Sequence, residues 1–280
     1  MKRIGFVDYK LENFHANTYL ALIRNQLKGR GFDVAGCWAM DAGDGKAWAA
    51  KNKVPYYDTP EALDAAVDYY VILAPSNPET HLDLCKTFFP FSKTTYVDKT
   101  FAPDIATAKK IFALADKHGV AMQTSSALRY TNVHAKVAEM GGVKAVRHMV
   151  TWGGGGSFGE YAIHAVELLI SLMGPKATRL MRRGTGAQSQ LIIDFDNGRT
   201  GIANVYVQAN TPFAASITTE AGTELIPVDG SAIFHNMAAA ILDLFQAGTP
   251  GIDRDESLMI RRILDAAEKP AALKGFVRLR

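Results

Sequence analysis

Predicted strands and helices alternate through the first 124 residues of the chain, and this order restricts the fold more than any other feature. Short apolar runs are typical of buried strands, and the amphipathic segments between them are typical of helices. The helix predicted over residues 104–118 follows Pro103 and ends before Gly119, in agreement with residue preferences at helix ends. Strands in this order pair in parallel with helices on both faces, so residues 1–126 are predicted to form a doubly wound α/β domain. The predicted strands cover residues 3–8, 32–40, 68–74, 94–97 and 120–124.

The pattern changes in the second half of the chain. A helix predicted over residues 161–173 ends at Gly174-Pro175, and the segments after it alternate between apolar and polar residues. Residues 196–198, Asp-Asn-Gly, lie between two of these segments and are a strong hairpin signal. Such alternation is typical of antiparallel strands with one buried face. Residues 127–280 are therefore predicted to form an α+β domain with an open antiparallel sheet.

Composition restricts the class of protein. Hydrophobic residues make up 48% and charged residues 21% of the 280 residues, with a formal net charge of +3, as in ordinary globular proteins. No basic run is present, so we expect no nucleic-acid partner. The longest apolar stretch, residues 165–173, is too short to span a bilayer, so we expect no membrane partner. Cys37 and Cys85 lie among apolar neighbours and are predicted to be free thiols of a cytoplasmic protein.

Three ionisable residues share one face of the otherwise apolar helix predicted over residues 161–173. Two of them lie within the helix, and the third directly precedes it. Glu160, His164 and Glu167 are spaced four and three residues apart, so they lie along the same side of the helix. A carboxylate beside an imidazole commonly orients a general base, and this favours a catalytic pair of Glu160 and His164. A structural histidine on a half-exposed helix is the alternative, and these residues alone leave both interpretations open.

Four short segments, taken in order, indicate a known family. They are Asn-Pro-Glu-Thr-His at 77–81, Val-Asp-Lys-Thr at 97–100, Ala-Leu-Arg-Tyr at 127–130 and Glu160-x-Ala-x-His164-x-x-Glu167. The chain resembles the glucose–fructose oxidoreductase, inositol dehydrogenase and MocA family over nearly its whole length. The resemblance implies a Rossmann-type dinucleotide-binding domain followed by a domain with an open antiparallel sheet, through which members commonly form homodimers or homotetramers. It also implies oxidation or reduction of a sugar or polyol with NAD or NADP.

The resemblance also implies roles for individual residues. Lys99 and His164 correspond to the family residues that contact the reacting hydroxyl, and Glu160 to the acid that supports the histidine. Lys99 follows a strand at the carboxyl edge of the sheet, where open α/β folds bind ligands. We assign Asn77 and His81 to the cofactor. The residues assigned to the substrate are Arg129, Tyr130, Trp152, Tyr161, Glu167 and His15.

The first turn between a strand and a helix departs from the family pattern. Asp8, Lys10 and Asn13 occupy the three positions at which the family has glycines. Those glycines allow the backbone to approach the cofactor's diphosphate, and a side chain at each position obstructs that approach. The acidic residue expected to bind the adenosine ribose is either absent or displaced to Asp41.

Several explanations of this departure stay open. NAD or NADP binds in an altered pose, with Lys10, Asn13 and Asn77 taking over the contacts to its phosphates and ribose. Asp8 and Asp41 are also assigned to the cofactor. Alternatively, the dinucleotide site has been lost and the chain is a cofactor-independent sugar lyase, isomerase or hydrolase. A non-catalytic carbohydrate-binding protein on the same fold is a further alternative.

Two other features have less specific interpretations. Glu160, His164 and Glu167, with His15 or His81, could form a metal site, but no spacing fixes a third ligand, so we predict none. The glycine run at residues 153–156 indicates either a loop that closes over a pocket or a flexible surface connection.

Overall fold

The chain divides into two compact units in the computed structural model, which describes residues 1–279. The first unit comprises Met1–Ser125 and Phe234–Asp253, and the second comprises Ser126–Ile233 and the residues from Arg254 onward. The predicted boundary at residues 126 and 127 lies beside the first break. Residues 234–253, however, which the sequence assigns to the second domain, belong to the first unit.

A five-stranded parallel sheet forms the centre of the first unit. The five strands are β1 (Lys2–Asp8), β2 (Phe32–Ala39), β3 (Tyr69–Ile72), β4 (Thr95–Val97) and β5 (Met122–Gln123). They pair in parallel in the order β2-β1-β3-β4-β5. The sheet is apolar because each strand lies between layers of helices, and residues 4–8 of β1 are buried throughout. The predicted Rossmann-type parallel sheet is confirmed.

Five helices connect these strands or follow them, and one of them is not indicated by the sequence pattern. That helix, α2, contains Gly43 and Gly45, which weaken a helical pattern. It is held instead by Trp48, whose buried indole Nε1 donates to Asn17 Oδ1 at 2.7 Å. The five are α1 (Phe14–Arg24), α2 (Ala42–Asn52), α3 (Pro60–Ala66), α4 (His81–Phe88) and α5 (Ile105–Lys117). Among the described residues, none of the helices is long and apolar enough to cross a membrane.

A seven-stranded sheet forms the second unit, together with the helices α6 (Asn132–Glu139) and α7 (Phe158–Met173). The strand order is β11-β10-β6-β9-β8-β7-β12, and every pair except β6 with β9 is antiparallel. The predicted antiparallel sheet is therefore confirmed in the main, with one parallel pair. The strands are β6 (His148–Gly155), β7 (Ala177–Arg183), β8 (Gln188–Phe195), β9 (Thr200–Val207), β10 (Ala214–Thr219), β11 (Gly222–Pro227) and β12 (Val277–Arg278).

The first three glycines of the run lie in strand β6, and Gly156 directly follows the strand. Gly153, Gly154 and Gly155 pair with β9, where Gly154 lies opposite Tyr206. A Cβ atom at Gly154 would lie 1.7 Å from the carbonyl oxygen of Tyr206. The glycines therefore permit close approach of two backbones, which corrects both interpretations based on the sequence.

Helix α8 (Ile233–Ala247) returns the chain to the first unit. Phe245 stacks on Tyr69 with ring centroids 4.7 Å apart and also contacts Phe32. Asp243 forms an ion pair of 2.6 Å with Arg30. These contacts join residues more than 170 positions apart, so no local pattern could assign α8 to this unit. Helices α9 (Arg254–Glu268) and α10 (Pro270–Lys274) follow in the second unit.

Candidate active site

The turn between β1 and α1 is closed by the carboxylate of Asp8, which is 1% exposed. Oδ1 of Asp8 accepts from the backbone N–H groups of Lys10 at 3.2 Å and Ala74 at 2.9 Å, and Oδ2 accepts from the Asn13 side-chain amide at 2.9 Å. Asn13 caps α1, since its Oδ1 accepts from the N–H of Ala16 at 3.0 Å. Asn13 has an extended backbone with φ −143°, so this turn requires no glycine there. Side-chain hydrogen bonds thus replace the glycine-rich turn.

Burial raises the pKa of Asp8 to about 7, although the Asn13 amide and the N–H groups of Lys10, Tyr9 and Ala74 favour the charged form. Because the folded-state pKa lies above the ordinary aspartate value of 3.8, between these two pH values the folded protein holds a proton that the unfolded chain has released. The Asp8 contribution to stability is therefore present below about pH 4 and is lost as the pH rises through 7.

We expect the free energy of unfolding to fall by about 4 kcal/mol between about pH 4 and pH 8, as Asp8 loses its proton in the folded protein. The size follows from the rise of the Asp8 pKa from 3.8 to about 7. Asn cannot ionise, so the Asp8→Asn variant should lack this component. The measurement is urea unfolding of both proteins at several pH values. Subtracting the free energy of unfolding of the variant from that of the wild type removes the contributions of other groups. Parallel pH profiles for the two proteins would contradict the assignment.

Lys10 and Asp41 lie near one another beside this turn. Lys10 Nζ is 3.7 Å from Asp41 Oδ2, and about half of each side chain is exposed, so the pair contributes little to stability. Asp41 also caps α2 by accepting from the N–H of Asp44 at 3.1 Å. Both charged groups are thus held at the exposed edge of the sheet, beyond the ends of β1 and β2.

Lys99 is buried, at 6% exposure, immediately after β4 and Asp98. Its Nζ donates to the carbonyl oxygen of Pro75 at 3.0 Å. The peptide bond between Lys99 and Thr100 is cis. A lysine is seldom buried without a specific partner, so an ordinary surface lysine is excluded.

Asp98 is fully buried and has three partners. Oδ2 lies 2.5 Å from His15 Nδ1, and Oδ1 accepts from the N–H of Lys99 at 2.8 Å and the Tyr96 hydroxyl at 3.3 Å. Burial opposes the charged form, but the charges and hydrogen bonds of His15 and Lys99 hold the pKa of Asp98 below its usual value. The carboxylate therefore stays ionised, and it fixes the orientation of the His15 ring.

Phe14 is exposed to 62% beside this histidine. Its ring lies 5.1 Å from that of Phe234 and 6.0 Å from that of His15, in edge-to-face contacts. An exposed aromatic ring next to a held imidazole can provide an apolar surface for a flat or cyclic ligand. The sequence reasoning missed Phe14. The signal that could have identified it is its position just after Asn13, in the turn where the cofactor was expected.

Asn77 and His81 differ in accessibility. His81 is fully buried, with ring nitrogens that contact the carbonyl oxygens of Leu73 and Thr100. Burial lowers the pKa of His81, which favours the neutral ring. Asn77 is partly exposed and donates to Glu79 Oε1 at 2.9 Å. The contacts of His81 indicate a structural role, whereas Asn77 remains accessible to a ligand.

His164 lies on α7 in the second unit, and Ser126 is its hydrogen-bond partner. Nδ1 of His164 is 2.7 Å from the hydroxyl oxygen of Ser126, a fully buried residue that the sequence reasoning did not select. Glu160 lies in the first turn of the same helix, where Ser157 Oγ accepts from its backbone N–H at 3.3 Å. Support of His164 by the Glu160 carboxylate stays a prediction.

Aromatic rings surround His164. The ring centroid of Tyr161 lies 5.7 Å away and that of Phe213 5.9 Å away. Trp152, in β6, and Tyr130 are each partly buried. Substrate contacts by Tyr161, Trp152 and Tyr130 stay predictions.

Arg129 and Glu167 form a buried ion-pair cluster with Glu256. Arg129 Nε lies 2.6 Å from Glu167 Oε1, and its Nη1 lies 2.6 Å from Glu256 Oε2. Burial raises the pKa of Glu167, although the charge of Arg129 opposes that shift. Two elements of the second unit, α7 and α9, are thereby tied to the segment that contains Arg129. These contacts favour a structural role for Arg129 and Glu167, and their predicted substrate role remains untested.

In residues 1–279, no group of three or more His, Cys, Asp or Glu side chains is placed to hold a metal ion. The members of the metal set considered from the sequence have other contacts, such as those of His15 with Asp98 and Glu167 with Arg129.

Residues 4–126 match the model of an oxidoreductase family with an NAD-binding Rossmann fold. The family is named after glucose–fructose oxidoreductase, inositol dehydrogenase and MocA. The match covers fewer than half of the 280 residues and includes the segments at 77–81 and 97–100, so the resemblance found in the sequence motifs is confirmed for this part of the chain. No curated protein matches the sequence.

Solved structures share the fold over nearly the whole chain. A probable dehydrogenase from Thermotoga maritima has 14% identity and a TM-score of 0.83, covering 99% of this chain and 98% of that one. Scyllo-inositol dehydrogenase from Lactobacillus casei has 11% identity and a TM-score of 0.83, with 100% and 98% coverage. An oxidoreductase from Agrobacterium radiobacter, solved with NAD+, L-tartaric acid and magnesium, has 14% identity and a TM-score of 0.80, with 99% and 98% coverage.

The fold is thus shared with solved structures over nearly the whole chain, while the turn around Asp8 departs from the glycine pattern that the resemblance implies. The family pattern drew attention to Lys99 and His164 but gave no signal for Ser126. The run Thr124-Ser125-Ser126 did offer one, because three polar residues after a buried strand commonly mark the functional edge of an α/β sheet.

Proposed function

We propose that this protein is an NAD- or NADP-dependent oxidoreductase that acts on a sugar or polyol. The observation that carries the proposal is the buried Lys99, held by Pro75 and placed next to the ionised Asp98, in an NAD-binding Rossmann domain. Supporting it, one structure of similar fold is a scyllo-inositol dehydrogenase and another was solved with NAD+.

The residues of the β1–α1 turn fit a dinucleotide only in part. The ammonium group of Lys10 and the N-terminus of α1 would attract a diphosphate. The carboxylate of Asp8 accepts a hydrogen bond from the N–H of Lys10, so this N–H is not free to bind a phosphate oxygen. When ionised, the same carboxylate repels a diphosphate. Lys10, Asn13, Asp41 and Asn77 are therefore the residues we propose to hold the cofactor, which when bound would accept or supply the hydride.

The acid–base chemistry is proposed for Lys99, His164 and Glu160. In the family pattern, the histidine exchanges a proton with the reacting hydroxyl and the lysine stabilises negative charge on its oxygen. Glu160 would support the imidazole. Substrate contacts are proposed for His15, Tyr130, Trp152 and Tyr161, since aromatic faces pack against the apolar side of sugar rings.

We expect calorimetric titration to show binding of NAD(H) or NADP(H) in the micromolar range, because Lys10 and the α1 N-terminus attract the diphosphate. The Asp8→Asn variant should bind more tightly at about pH 8, since it removes a negative charge near the ligand. The protein must first be shown free of co-purified nucleotide. No binding at millimolar concentrations, in either protein, would exclude hydride transfer with a bound dinucleotide.

The closed turn around Asp8 favours a second candidate function. If the dinucleotide is not bound, the protein is a carbohydrate-binding protein or a cofactor-independent lyase, isomerase or hydrolase. Sugar binding without nucleotide binding in the same titrations would select this candidate. Turnover of a sugar panel would then separate an enzyme from a binder.

We also propose a cytoplasmic location and a homodimer or homotetramer. Cys37 and Cys85 are buried free thiols, as is usual in a reducing compartment. The second sheet carries partly exposed apolar residues on one face, among them Val150, Ile192 and Ile202. Such a face commonly pairs with a second copy, and light scattering after size-exclusion chromatography would measure the assembly.

A further inference from the structure

The hydrogen-bond partners of Ser126 determine which nitrogen of His164 carries a hydrogen. A serine hydroxyl has one donor and two acceptor positions. Oγ of Ser126 accepts from the backbone N–H of Leu128 at 3.2 Å and lies 2.7 Å from His164 Nδ1. Within residues 1–279, no other atom is placed to accept the hydroxyl hydrogen of Ser126. Since Ser126 is fully buried, that hydrogen has one available acceptor, which is His164 Nδ1.

The backbone of Ser126 is held in place, so a shift of the main chain does not carry the hydroxyl away from His164. The carbonyl oxygen of Ser126 accepts from the N–H of Arg129 at 3.1 Å, and the N–H of Ser126 favours the charged form of the Glu167 carboxylate. The ion pairs of Arg129 hold Glu167 in turn. A buried hydroxyl whose hydrogen has no acceptor destabilises the fold, which favours donation to the imidazole.

We infer that Ser126 donates its hydroxyl hydrogen to Nδ1 of His164 and thereby fixes the neutral imidazole with its hydrogen on Nε2. A histidine in this form donates a hydrogen bond from Nε2 and cannot take a proton there. The inference rests on the proposed hydride transfer but exchanges the roles of the two residues in it: His164 becomes the donor that stabilises negative charge on the reacting oxygen. Proton transfer then falls to Lys99, the other residue proposed to contact that oxygen. Ser126 is the positioning residue.

His15 provides an internal comparison with the opposite arrangement. Its Nδ1 faces the carboxylate of Asp98, which only accepts hydrogen bonds, so Nδ1 of His15 must carry the hydrogen. The two histidines are therefore expected to have opposite hydrogen positions at their Nδ1 atoms.

Nitrogen-15 NMR of the histidine side chains tests this inference without any substrate or cofactor. Spectra are recorded at about pH 9, where imidazoles are neutral. The His164→Gln and His15→Gln variants identify the two sets of signals. We expect the wild-type protein to show unprotonated Nδ1 and protonated Nε2 for His164, and protonated Nδ1 for His15. Protonated Nδ1 in His164 would overturn the inference.

Variants at Ser126 test whether its hydroxyl is the cause. In Ser126→Ala, Nδ1 of His164 should shift to the position of a nitrogen without a hydrogen-bond donor, whereas Ser126→Thr should retain the wild-type signal. Ser125→Ala is the matched control, because Ser125 is also buried but its hydroxyl faces Met237. An Nδ1 signal that does not move in Ser126→Ala would also overturn the inference. Either failure leaves nucleotide binding untouched, so it is distinguishable from failure of the proposed function.

Discussion

Replacing Arg129 with leucine is expected to lower the free energy of unfolding by about 3–5 kcal/mol, the usual loss when one partner of a buried ion pair is removed. Arg129 faces two carboxylates, of which Glu167 is almost wholly buried. Without the guanidinium, the charge of Glu167 would be uncompensated in an apolar setting. The Glu167 carboxyl would then have to take up a proton when the protein folds, which costs free energy at neutral pH. Urea unfolding at neutral pH measures the difference.

Two further variants separate this mechanism from a simple loss of packing. Arg147→Leu removes an arginine of the same unit whose pair with Glu220 is exposed, and it should cost less than about 1 kcal/mol. The double variant Arg129→Leu with Glu167→Gln should recover part of the stability, because the buried group is then neutral. Equal losses in the Arg129 and Arg147 variants would contradict the proposed importance of the buried cluster.

The largest effect on activity is expected from Lys99→Met, with kcat lowered by about 10²–10³-fold on the sugar or polyol identified by screening. Methionine keeps an apolar chain of similar length, so the packing around Pro75 should persist while the ammonium group is lost. Steady-state kinetics give the rate, and circular dichroism shows whether the variant is folded. His164→Ala should also lower kcat, by no more than Lys99→Met does.

Lys86→Met is the matched control for Lys99. Lys86 belongs to the same unit, and its ion pair with Asp83 is exposed to solvent. We expect the wild-type rate in this variant. Near-normal rates in both Lys99→Met and His164→Ala would remove the whole assignment of the site.

Local patterns predicted much of the fold. The helix boundaries at Pro103 and Gly119 enclose α5, and the Asp-Asn-Gly hairpin joins β8 to β9, where Asn197 has the left-handed φ of 57°. Such features depend on residues close in the sequence, whose conformational preferences act directly. The family motifs likewise directed attention to Lys99, which the structure shows to be buried.

What the sequence could not give depends on contacts between distant residues. Ser126 and His164 are 38 positions apart, and neither carries a local sign of the other. The glycines of β6 are needed because β9 lies against that strand, so the same run in isolation indicates a loop. In Asp8, a residue that disrupts a glycine pattern proves to close the turn through three hydrogen bonds.

The return of α8 has a consequence for how the chain folds during synthesis. The first 125 residues leave the ribosome before α8 has been made, so Phe32 and Tyr69 lack Phe245 as a partner at that stage. Contacts of such long sequence separation form late, because the loop between them must close first. The nascent first unit therefore exposes aromatic surface while the second is being translated, and this is the interval in which a chaperone would bind it.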